Sequence, residues 1–174
     1  MKKLRYVIAL LVGLMPLLIA CSNDDEPTPQ MRMETFDYAF NEGQLVGEST
    51  AYMGEHPRDL MASLLVEELP AGNARISITL NNTLAGETYM VHAHDMADPD
   101  STPNGTPYLE APNANVFVGM PTATGTSVMY EQETSLSYDE VLNSYDGFLV
   151  VHDPTQELST TDLTTYLVLG VFAR

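Results

Sequence analysis

The chain has 174 residues, 24 of them Asp or Glu against 7 Lys or Arg, for a formal charge of −17. That excess of negative charge repels phosphate backbones and anionic lipid headgroups, which argues against nucleic-acid binding. A single cysteine rules out an intramolecular disulfide.

Lys2, Lys3 and Arg5 lead into the apolar run YVIALLVGLMPLLIA, which closes on a small residue before Cys21. This charged, apolar, small-residue layout over residues 1–20 is that of a secretory signal, and Pro16 inside a run this short argues against a bilayer span. The residues LIAC resemble the lipobox of bacterial lipoproteins. The resemblance implies cleavage before Cys21, lipidation of its sulfur, and anchoring in the bacterial cell envelope at the outer membrane. The alternative is an ordinary signal anchor with an incidental cysteine. SNDDEPTPQ follows, acidic and then proline-bearing, and residues 21–33 read as a solvated tether. Its acidic start resembles the surface-export signal of some Gram-negative lipoproteins, which implies surface display. Cleavage would remove three of the seven basic residues and none of the acidic ones, deepening the charge from −17 to −20. Residues 34–174 are then long enough for one domain with its own core.

Short alternating or apolar segments separated by turn residues fill that domain. FDYAF and STAYM read as strands and GEHPRDL as a turn, in the least legible part of the chain. His56, before Pro57 in that turn, is expected to be exposed. ASLLVEEL (62–69) ends at Pro70 and Gly72, and ARISITL (74–80) puts Ile76, Ile78 and Leu80 on one face. NNTLAGE supplies a turn before the strand TYMVHAHD. Residues 96 to about 115 form a long Pro-, Asn- and Asp-rich stretch without a period, and loops beyond about 12 to 15 residues are usually functional or disordered. VFVGM, TSVMYEQETSL, FLVVHD and TYLVLGVFA complete a strand series. Within SYDEVLNSYDG, Ser137 and Glu140 can cap one helical turn. The pattern predicts an all-β, antiparallel sandwich or barrel.

The chemistry concentrates in the histidines. His92 and His94 sit two apart on one strand, so both point to the same face, and paired neutral imidazoles suit copper, zinc, iron or nickel. Taken alone, an H-x-H pair is more often a hydrogen-bonded or surface pair. His152 ends another apolar strand, and Asp95 and Asp153 follow the two sites. These aspartates either accept a ring N–H from a ligating histidine or simply open turns. Met96, two residues past His94, is a candidate soft ligand for cuprous ion, against the commoner reading of methionine as core filler.

AGETYMVHAHD and, later, YDGFLVVHDP…ELSTTDLTTYLVLGVFA resemble the copper/zinc superoxide dismutase fold and the related chordin-type (CHRD) domains, over about residues 62 to 174 with the element order kept. The resemblance implies an eight-stranded Greek-key β-barrel, with His92, His94 and His152 matching three copper ligands. The departures are as informative. The family's loop after the H-x-H strand carries a bridging histidine and the zinc ligands, whereas no histidine lies between His94 and His152. Asp98, Asp100 and Glu110 alone lack the nitrogen partners such a zinc site uses, so zinc is not expected. The family's disulfide is missing, and Tyr166 falls where its substrate-guiding arginine is expected.

Two expectations of different kinds follow. One is a membrane-anchored lipoprotein binding one copper ion through three histidines, with weak superoxide dismutation at most. The other is a metal-free CHRD-like interaction module for a protein partner the sequence does not identify. A weaker third reading is metal-ion storage or delivery in the envelope, drawing on the acidic surface and the ten methionines.

Overall fold

The computed structural model describes residues 30–40, 52–159 and 162–172. The proposed signal, Cys21, most of the tether and the start of STAYM lie outside these residues. No helix among the described residues is long and apolar enough to cross a membrane.

Among the described residues, apart from two single 3-10 turns, the domain has eight strands and one short α-helix: β1 (Met33–Tyr38), β2 (Met61–Glu68), β3 (Asn73–Asn81), β4 (Val91–Asp95), β5 (Val118–Gly119), β6 (Ser127–Ser137), α1 (Tyr138–Asn143), β7 (Gly147–His152) and β8 (Tyr166–Phe172). They form two antiparallel four-stranded sheets, ordered β1-β2-β3-β6 and β5-β4-β7-β8. Alternation explains the first sheet. Ala62, Leu64 and Val66 of β2 and Ala74, Ile76, Ile78 and Leu80 of β3 are buried together, while their neighbours face outward. Gly72 turns the chain between these strands with φ +88°, a conformation strained for any residue bearing a Cβ. Ser137 and Glu140 form the expected reciprocal cap on α1.

The sheets do not close into one hydrogen-bonded barrel; of the two architectures expected, the described residues form the two-sheet one. The reason lies at the edges. β5 is only two residues long, and side chains take over from a backbone ladder there: the Val118 N–H donates to Gln132 Oε1 at 3.1 Å and the Tyr130 hydroxyl to the Val118 carbonyl at 2.6 Å. On the far side the Tyr38 hydroxyl donates to the Val171 carbonyl at 3.2 Å.

Other expectations shift at their ends. TYMVHAHD pairs continuously only from Val91, and Thr88 adds an isolated bridge to Thr122. β1 starts at Met33, and the tether's Arg32 is already held by Glu68 and Asp139, each at 2.8 Å. Tyr52 and Met53, the described end of STAYM, are not in a strand.

In the second sheet, the central strands β4 and β7 are buried on both faces. Val91, Ala93, Leu149 and Val151 point into the main core, whereas Phe148, Val150, Tyr166 and Leu169 gather with Tyr108 in a separate outer cluster. Tyr108 belongs to the long loop after β4. Backbone bonds pin that loop over the sheet: Leu109 N–H to the Asp95 carbonyl at 2.9 Å, Ala97 N–H to Pro107 at 2.9 Å, and Asn113 N–H to Ala93 at 2.8 Å. The stretch without a period is thus an ordered cover, and the histidines lie beneath it.

Candidate metal centre

β4 and β7 pair with His92 opposite Val150 and His94 opposite Phe148. Since alternate residues share a face, His92, His94 and His152 all project to the outer side of the sheet, away from the main core. Covering segments seal them in: the three residues are only 3%, 4% and 5% exposed. The structure therefore brings together the three histidines singled out in the sequence, although 60 residues separate His92 from His152.

Their nitrogens are close. His92 Nε2 and His152 Nε2 stand 2.8 Å apart, and the His92 and His94 ring centroids 4.5 Å apart. Two nitrogens each about 2.0 to 2.1 Å from one ion lie about 2.9 Å apart when they meet it at a right angle. The His92–His152 spacing thus suits either a shared proton or a shared ion. His94 donates from Nδ1 to the Leu109 carbonyl at 2.7 Å, which fixes its tautomer and leaves the Nε2 lone pair available. His92 Nδ1 is buried without a hydrogen-bond partner among the described residues, a condition that costs about 1–3 kcal/mol. Among the described residues, no group of three or more His, Cys, Asp or Glu side chains is arranged to hold a metal ion as it stands. The fit to an ion is accordingly one of donor chemistry and of the His92–His152 spacing, with His94 adjacent.

Burial also sets the protonation state. It pushes His92 down to about 3, reinforced by repulsion from His94 and His152, and His152 down to about 4, reinforced by His94. His94 is lowered by burial as well, against an opposing effect of its bond to Leu109. All three rings are neutral near pH 7, as ligation requires.

Neither aspartate proposed to orient a ring does so. Asp95 accepts from Asn113 Nδ2 at 2.6 Å. Asp153 accepts from the Tyr52 hydroxyl, from the Thr155 backbone and side chain, and from Gln156 at 2.8 Å. Burial pushes the Asp153 carboxyl up, but these bonds outweigh it and hold it below its ordinary value. Asp95 is spent on the loop that follows its strand and Asp153 on its own following turn and on Tyr52, and a backbone carbonyl orients His94 instead.

Two tyrosines that sequence reasoning did not connect with each other complete the shell. Tyr108 packs on His94 at 4.6 Å, Tyr166 on His152 at 4.5 Å, and the Tyr108 hydroxyl donates to that of Tyr166 at 3.3 Å. Tyr166 is buried beside His152, where the family resemblance calls for an arginine. His56, expected in solvent, is 7% exposed: its Nδ1 donates to the Arg58 carbonyl at 2.7 Å, and its Nε2 accepts from Tyr89 at 3.1 Å. That turn is folded against the domain because Tyr52, four residues before His56, reaches Asp153. No family model, curated protein or solved structure matches the chain.

Proposed function

We propose that this is a lipid-anchored protein of the bacterial cell envelope whose superoxide dismutase-like domain binds one copper ion through His92, His94 and His152. The strand order β1-β2-β3-β6 over β5-β4-β7-β8 supports a Greek-key arrangement of this kind, since β3 pairs with β6 while β4 and β5 lie in the opposite sheet. The observation that carries the reading is the buried, neutral imidazole trio, with His92 Nε2 and His152 Nε2 2.8 Å apart and His92 Nδ1 unsatisfied.

Copper bound there would supply a centre able to change oxidation state. The residues around it do little to welcome an anionic substrate. Arg32 is tied to Glu68 and Asp139, Arg75 to Glu133, and Arg58 to the Thr83 carbonyl. Tyr108 and Tyr166 cover the rings with neutral phenols, each raised above the ordinary tyrosine value chiefly by burial. Without a local positive field to offset the acidic chain, dismutation is slow.

The His92–His152 hydrogen bond also favours a second reading, a metal-free CHRD-like module in which the imidazoles only satisfy one another and the loop. Titration with Cu(II), followed by d–d absorption, separates the two. The copper reading expects saturation at one equivalent, lost in the His92→Ala/His94→Ala/His152→Ala variant. Equal uptake by that variant contradicts it.

A further inference from the structure

The methionines are placed unlike core fillers. Met31, Met33, Met53, Met61, Met96, Met120 and Met129 are all exposed large hydrophobics, and Met120 is 61% exposed. Most are scattered, but Met120 is not. The β4–β5 register sets His92 opposite Val118, and Thr88 bridges Thr122 two turns of the pleat away, which places Met90 opposite Met120 between them. On the other side of β4, the His152 N–H donates to the Met90 carbonyl at 3.0 Å, in step with the Val91–Val151 pair. Met120, Met90 and His152 thus form one row across three adjacent strands. These three residues line a single surface depression of about 260 Å3, together with Leu158 and Asp153.

That row grades from solvent to interior. Met120 is open, Met90 is half-buried and His152 is 5% exposed, with His92 Nε2 2.8 Å behind it. A thioether in solvent contributes little to packing, yet it is a soft, uncharged donor that favours cuprous over hard divalent ions. The acidic chain favours the approach of any cation.

We propose that Met120 and Met90 with His152 form a soft-cation site that takes up a cuprous ion at the surface and passes it to the imidazoles; the destination rests on the three-histidine reading, the thioether site does not. Transfer is ligand exchange alone. A thioether leaves the ion as an imidazole nitrogen joins it, no electron moves, and no proton is released if the entering nitrogen already carries its lone pair.

Silver(I), a redox-inert stand-in for cuprous ion, tests this on the full-length protein labelled with [methyl-13C]methionine in chloride-free buffer. Sub-stoichiometric Ag(I) is expected to shift the Met90 and Met120 methyl resonances before those of Met53 and Met129. Met90→Leu/Met120→Leu should weaken Ag(I) binding by about tenfold or more, while Met53→Leu/Met129→Leu leaves it unchanged. Uniform shifts across the exposed methionines, or undiminished affinity in Met90→Leu/Met120→Leu, overturn the site; the wild-type shifts need no variant to fold. If Ag(I) selects Met90 and Met120 but the triple histidine variant still takes up Cu(II) normally, the thioether site stands and the passage to the histidines is overturned.

Discussion

At the scale of single residues, the histidines make the metal-free protein acid-sensitive in a defined window. His92 and His152 are lowered in the folded state to about 3 and about 4, from an ordinary value of 6.5. Between those values the unfolded chain binds more protons than the folded one, so stability is fully present above about pH 6.5 and falls as the pH drops towards 4. The expected slope is on the order of 1 kcal/mol per pH unit for each ring. Urea unfolding of the metal-free protein from pH 7.5 to 4.5 checks this. The midpoint should fall with pH and flatten in His92→Ala/His152→Ala; a wild-type midpoint that holds or rises on acidification contradicts the burial argument. Legibility at this scale was uneven. The H-x-H spacing and the second strand-ending histidine exposed the trio, because strand periodicity fixes which way side chains point. The partners of Asp95 and Asp153 are not legible in the sequence, since Asp95 bonds to its own following loop and Asp153 to its following turn and to Tyr52, 101 residues earlier.

At the scale of elements, β7 holds the site in register through its first residue. A Cβ on Gly147 would stand 2.6 Å from the His94 carbonyl oxygen and 2.5 Å from the Tyr145 hydroxyl. The carbonyl is backbone on the neighbouring strand and cannot swing aside, so Gly147→Ala must part β7 from β4 where His94 sits. Overpacking of this sort costs about 1–3 kcal/mol. Thermal melts should show that loss together with weaker Cu(II) binding, while Gly125→Ala, with nothing within 4 Å, stays within about 0.5 kcal/mol of the parent. A Gly147→Ala protein with unaltered stability and uptake would separate the site from the strand pairing. Strands with clean alternation, β2 and β3, were readable almost to their ends. VFVGM reads as a five-residue strand, yet β5 spans only Val118–Gly119, with Gln132 and Tyr130 side chains on the N–H and carbonyl of Val118. The loop after β4 stands out in the sequence by its length and position. That Tyr108 and the Leu109 carbonyl would cover and orient His94 lay in tertiary contacts that no local pattern encodes.

For the whole molecule, charge and cover work against rapid anion chemistry. The chain is strongly acidic, and its described arginines are engaged away from the histidines. A superoxide anion approaching such a surface is repelled, and salt screens that repulsion over about 8–10 Å. Any dismutation by the copper-loaded protein should therefore be slow and should speed up as ionic strength rises. A fast rate that falls with salt would mean an attracting field absent from the described residues. The sandwich itself was legible because turn residues punctuate short strands throughout. Its failure to close was not, since it depends on side chains bridging the sheet edges.

The most direct measure of the central claim is the number of imidazole nitrogens bound to Cu(II), read by pulsed electron paramagnetic resonance on the loaded full-length protein. Three equivalents of histidine coupling are expected, reduced by one in each of His92→Ala, His94→Ala and His152→Ala. Coupling that survives His152→Ala intact, or copper bound without histidine nitrogen, would contradict it.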